Sequence, residues 1–196
     1  KLFPNYNFYN KKNISEQTQN LFKVGLAGSG NMYRRMVFPV YNEHSQIIGF
    51  SGRRVDDGNS AKWKHIGKKN NWIYPAYTPN EVTVDELITE SKEVYLVESI
   101  GDAMSLYDQG IKNVLVIFGL SVSASIISYL SGKEIDKIII AGNNDFESEI
   151  NRGLLASIKN YLKLSNYFDL DILHIKVPPK GFNDLGDANQ LDKDLK

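Results

Sequence analysis

From residue 94 onward the chain settles into a repeat. Short continuous apolar runs, Val94–Val97, Asn113–Phe118, Lys137–Ala141 and Leu170–Ile175, are separated by stretches with helical spacing at Gly101–Gln109, Ser123–Leu130 and Glu147–Leu164. Strands that are apolar on both faces and alternate with helices belong in a parallel sheet covered on both sides. The expected class is therefore α/β, a mostly parallel sheet with flanking helices. In such sheets functional side chains gather at the carboxyl ends of the strands.

The first 80 residues differ. Gly, Asn and Pro break them into short pieces, and only Ile14–Phe22 has the look of a helix, with Ser15 as its N-cap. Met36–Tyr41 and Gln46–Arg53 read as two strands joined by a turn at Asn42–Ser45. This part is expected to be a smaller α+β unit, residues 1–80, ahead of an α/β unit at 81–196. The charge divides the same way. Equal numbers of basic and acidic residues, 23 each, hide a net +8 over residues 1–80 and a net −8 over 81–196. A basic half suits a polyanion, whereas an acidic half suits a divalent cation or a solvated surface. Zero cysteines exclude disulfides, thiolate zinc sites and a cysteine nucleophile. No apolar run approaches the ~20 residues of a membrane helix, and no secretory signal opens the chain, so a soluble cytoplasmic protein with no membrane partner is expected.

Three carboxylates fall at or after strand ends. Glu98 follows the first strand, Asp145 the third (in Asn143-Asn144-Asp145), and Asp184 the fourth (after Pro178-Pro179-Lys180-Gly181). Hard oxygen donors from separate elements are what magnesium requires, since it is held by a few carboxylates together with water and substrate phosphates. Asp102, one helical turn beyond Glu98, reads equally as a cap or as a support for the ligands.

These residues resemble a Toprim domain, the metal-binding domain shared by bacterial primases and topoisomerases. Its pattern has a Glu after the first strand and Asp-x-Asp after the third. Glu98 and Asp145 match, Asn143 stands where the first Asp is expected, Ser99 replaces the usual Gly, and Gly181 replaces an Asp ahead of Asp184. In the basic half, Ile14–Thr18, Arg34–Val40 and Ile48–Arg54 resemble the basic subdomain of DnaG-type primases, bacterial or phage, and Lys62-Trp63 falls where that family has a Lys-aromatic pair.

The resemblance implies a primase catalytic core that makes short RNA primers on single-stranded DNA from ribonucleoside triphosphates. Magnesium or manganese would be held by Glu98, Asp145, Asn143 and Asp184, with Glu98, Asp145 and Asp184 catalytic. The family's usual zinc-binding module is absent, consistent with zero cysteines, so no zinc is expected in this chain; a cytoplasmic location in a bacterial or phage-infected cell and a replicative helicase as a further partner are expected. Arg34, Arg35, Arg53, Arg54, Lys62 and Lys64 are the cations for nucleotide and template. Neighbours on a strand face opposite ways, so one of Arg34/Arg35 and one of Arg53/Arg54 should reach the cleft, with Arg53 and Lys62 favoured. Trp63 and Tyr33 are candidates for stacking on bases. His44 is expected exposed in its turn, His174 structural in its strand. Two other readings stand beside this one: a Toprim nuclease, and a degenerate Toprim module that binds single-stranded DNA or a helicase without chemistry.

Overall fold

The computed structural model describes residues 1–145, 150–178 and 181–182. Two sheets share one apolar core. The first is antiparallel, in the order β1 (Leu2–Phe3), β2 (Gly25–Ala27), β3 (Arg35–Tyr41), β4 (Ile47–Arg54), β5 (Trp63–Ile66). Two short helices, α1 (Asn7–Asn10) and α2 (Glu16–Leu21), lie between β1 and β2. As expected, Ser15 caps α2, its hydroxyl accepting the Thr18 N–H.

After α3 (Val84–Ser91) comes the parallel sheet. Its strands are β6 (Glu93–Val97), β7 (Val114–Val116), β8 (Lys137–Ala141) and β9 (Leu173–Lys176), arranged β7-β6-β8-β9. The crossovers carry α4 (Ile100–Asp108), α5 (Ala124–Ser131) and α6 (Arg152–Leu164). Val94, Leu96 and Val97, Val114–Val116, and Ile138, Ile139, Ile140 and Ala141 are buried, so β6, β7 and β8 are apolar on both faces, whereas β9 exposes His174 and Ile175. Each buried Val, Leu or Ile side chain contributes about 1.5–3 kcal/mol when fully removed from water.

The sheets meet through aromatic side chains. Phe22 packs edge-on against Tyr74 and Tyr107, and Phe118 packs against Trp72 and Tyr74. The Val116 N–H also donates to the Tyr74 carbonyl at 2.8 Å, so the segment leaving the first sheet borders the second. No helix among the described residues is long and apolar enough to cross a membrane.

Several elements differ from the sequence expectation: α1 is a second helix in the first 80 residues, β7 spans only Val114–Val116, and two further boundaries move. The last crossover helix begins at Arg152, because Asn151 takes the N-cap position and accepts the Leu154 N–H; the first residues of the expected helix, 147–149, lie outside the described residues. Residues Leu170–Ile172 form a 3-10 turn, and the final strand starts only at Leu173. His174 on that strand is exposed rather than structural, while His44 is exposed as expected.

Candidate active site

A cleft of about 690 Å³ opens between the two sheets. Its acidic wall comes from the ends of β6 and β8. Glu98 follows β6 directly, and Asn143 lies two residues beyond β8. The parallel register pairs Val97 with Ala141, so these two ends sit side by side. The Asn143 side-chain amide donates to Glu98 Oε2 at 3.2 Å. The Asn that stands in place of a carboxylate is thus bonded to the carboxylate it would otherwise repel.

The other acidic residues of this wall serve as caps. Ser99 and Asp102 form a capping box on α4: the Ser99 N–H donates to Asp102 Oδ2 at 2.9 Å, and the Asp102 N–H donates back to Ser99 Oγ. The serine that departs from the family pattern therefore starts the helix, and Asp102, largely buried, lines the cleft floor as its capping partner. Asp145 Oδ2 accepts the Gly153 N–H at 2.9 Å, and the Asp145 N–H donates to Asn151 Oδ1. Asp145 thus faces the N-terminal turn of α6 and does not line the cleft. The loop is pressed there because two glycines allow it. A Cβ on Gly153 would lie 2.3 Å from the Asn143 carbonyl oxygen, and one on Gly142 would lie 1.9 Å from Ser157 Oγ. Asp184 lies outside the described residues.

The basic wall divides similarly. Arg53 and Lys62 line the cleft. Arg53 pairs across the strands with Trp63, and its guanidinium lies 5.9 Å from the centre of the Trp63 ring and 5.8 Å from that of Phe8. Burial lowers its pKa from the usual arginine value, opposed in part by Tyr9, with smaller lowering effects of Arg54 and Arg35 nearby. Arg35 is buried and donates to the carbonyls of Gly52, Ala61 and Lys62 and to Ser60 Oγ. Arg54 donates to the carbonyls of Asp56 and Ser60. These two arginines tie the 56–62 loop to the sheet and stand outside the cleft. Arg34 precedes β3 rather than lying in it. It adopts φ +55°, stacks over exposed Tyr33 and pairs with Asp56 at 3.8 Å, so strand alternation does not apply to it. Lys64 donates to the Asn31 carbonyl, away from the cleft.

Sequence reasoning passed over the loop after α1. Lys11, Lys12 and Asn13 line the cleft, with Asn13 at φ +56°. The adjacent lysines directly before the Ser15 cap were the available signal. Tyr9, fully buried behind them, has no hydrogen-bond partner for its hydroxyl among the described residues, and burial raises its pKa. Gly181, at φ +103°, and Phe182 reach the rim.

The donor set suits a divalent ion in part. Among the described residues no three His, Cys, Asp or Glu side chains converge as ligands. Glu98 and the Asn143 side-chain oxygen are the cleft's donors at the strand ends, and magnesium is commonly held by one or two carboxylates with substrate phosphates completing its shell. Asp145 would join them only after leaving the α6 N–H.

Two family models match the chain. "DNA primase catalytic core, N-terminal domain" matches residues 29–74, and "Toprim-like" matches residues 95–176. An uncharacterized protein of Mycoplasma genitalium, MG010, is 28% identical over 169 residues, which are 85% of this chain and 73% of that protein. The DNA primase of Lactococcus lactis is 30% identical over 132 residues, 62% of this chain but only 21% of that enzyme, so the chain spans about a fifth of its length. The E. coli primase catalytic core superposes with a TM-score of 0.76 at 18% identity, over 96% of this chain and 69% of that one. A DnaG primase catalytic domain bound to single-stranded DNA superposes at 0.73, 18% identical, over 96% and 68%.

Proposed function

We propose, for a chain that is a DnaG-type primase catalytic core in fold and domain content, that its cleft joins ribonucleotides into a primer on single-stranded DNA. One observation carries this reading. A carboxylate at a parallel strand end, Glu98, and two cations from the basic half, Arg53 on β4 and Lys62 just before β5, line the same cleft.

In that reaction the 3′-hydroxyl oxygen of one nucleotide bonds to the α-phosphorus of the next. The bond from that phosphorus to the β-phosphate oxygen breaks, and pyrophosphate leaves while the hydroxyl proton passes to solvent. Such chemistry depends mainly on positioning and on neutralising charge. A bound magnesium or manganese ion supplies charge neutralisation at the phosphates. Glu98 would hold it, with Asn143 turning its oxygen inward and the triphosphate completing the shell. Arg53 would grip a phosphate as a two-pronged donor and Lys62 as a point charge. The Trp63 and Phe8 rings both lie against the Arg53 guanidinium, which would restrict its aim. Residues 1–80 would serve as the cation-bearing unit and 81–196 as the metal-bearing unit, working in the cytoplasm.

A second reading has its own support. Asn143 is bonded to Glu98 and Asp145 is engaged on α6, so a module that binds single-stranded DNA without chemistry also fits. Incubation of the chain with single-stranded template, labelled ribonucleoside triphosphates and magnesium or manganese tests both. Labelled oligoribonucleotides support the primase reading. Template bound without product, with both ions and across templates, overturns it in favour of the second.

A further inference from the structure

Asp108, the last residue of α4, is placed against the usual electrostatic preference, since a helix C-terminus disfavours a negative charge. Its carboxylate is held by three donors from the other half of the chain. The Ser15 N–H donates to Oδ2 at 2.6 Å, and the Ser15 and Thr18 hydroxyls both donate to Oδ1. Ser15 is at the same time the N-cap of α2, where a negative charge is favourable. The loop just before Ser15 is Lys11–Ile14, which lines the cleft. The other end of α4 begins at Ser99, next to Glu98. Nine helical residues, about 14 Å at the usual rise, thus run from the candidate ligand to the anchor of the lysine loop.

We infer that Asp108 is a positioning residue, and that α4 acts as a strut setting the lysine loop at a fixed distance from Glu98, so that polyanions meet both walls at once. The inference rests on the proposed function for its ligand, but not for its geometry. The loop is small and its backbone is already committed. Lys12, Asn13 and Ile14 donate their N–H groups to the carbonyls of Tyr9, Asn10 and Tyr9. Those amides report whether the anchor holds.

The experiment compares the native chain with Asp108→Asn, which keeps the shape and loses the charge, and with Asp108→Glu. Lys69→Met is the control, because Lys69 makes a different bond between the halves, to the Phe118 carbonyl. Hydrogen exchange of residues 11–14, with no ligand present, should accelerate about three- to tenfold in Asp108→Asn. It should recover at least in part in Asp108→Glu and stay unchanged in Lys69→Met. Affinity for a fluorescent single-stranded oligonucleotide at low salt should fall by a similar factor in Asp108→Asn. That loss should vanish when Lys11 and Lys12 are both already alanine. Unchanged exchange at 11–14, or an equal affinity loss with and without the two lysines, overturns the inference. If Asp108→Asn does not fold, Thr18→Val, which removes one donor, is measured in its place against the same outcomes. Absence of oligonucleotide binding by the native chain would instead count against the proposed function, with the exchange result still deciding the strut.

Discussion

The two walls of the cleft carry opposite charge but use it alike. On the basic wall, Arg35 and Arg54 are spent on carbonyls of the 56–62 loop, while Arg53 and Lys62 face the cleft. On the acidic wall, Asp145 is spent on the N-terminus of α6, Asp102 caps α4 at the cleft floor, and Glu98 faces the cleft beside Asn143. In each wall part of the charge faces the cleft, and neighbouring charges hold the backbone that aims it. Counting charges, +8 against −8, therefore overstates what either wall presents to a ligand.

The largest effect should come from Glu98. Glu98→Gln keeps the side chain's shape and removes the charge, and primer synthesis should fall by at least about 100-fold, with an unchanged melting temperature. Normal primer synthesis by this variant would show that the acidic wall has no working carboxylate there.

Arg35→Met sharpens the contrast within the basic wall. It leaves three carbonyls without their buried donor and should cost about 3 kcal/mol in a urea unfolding titration. Arg53→Met should cost far less stability but weaken oligonucleotide binding about tenfold and flatten its salt dependence. If the two variants behave alike in both measurements, the division of labour is wrong.

Asp145→Asn should lower stability by about 1 kcal/mol through the weakened N-terminal contact on α6, whatever it does to activity. Asn143→Asp places two carboxylates where an amide now donates to one. The metal-free variant should melt lower, and magnesium or manganese should raise its melting temperature more than that of the native chain. An equal metal-induced shift would mean that Asn143 does not share a site with Glu98.

The smallest effect concerns His65, which stacks edge-on against Trp72 and Phe118 where the walls join. Burial first, then the Lys69 charge, lowers its pKa from the usual 6.5. The unfolded chain therefore binds a proton more readily. This contribution to stability is present above about pH 6.5 and is lost as pH falls below it. His65→Phe should melt with a shallower dependence on pH between 7 and 5, and an unchanged slope would place the acid sensitivity elsewhere.

The parallel sheet was legible because burial on both faces leaves an unbroken apolar signature. β6 and β8 fall within a residue of the runs that announced them. Ser15 was readable as a cap for an equally local reason, since a cap reaches only two or three residues along the chain. The position of Glu98 directly after a strand was readable from the apolar run of β6. The assignment of Arg34 to a strand missed because a left-handed turn residue there shifts the start of β3 by one position. The lysine loop was missed because nothing local marks residues 11–13 as near residue 98.

What the sequence determined by itself is what short-range physics controls: the buried parallel strands, the cap at Ser15, and which halves carry which charge. The tertiary structure alone decided which charged groups are consumed. Arg35 and Arg53 have the same chemistry and lie on adjacent paired strands, yet one is buried among carbonyls and the other lies against Trp63 in the cleft. Asp108 meets Ser15 across 93 residues of chain. A hydrogen bond depends on where two atoms arrive after the sheets have packed, and no spacing along the sequence encodes that arrival.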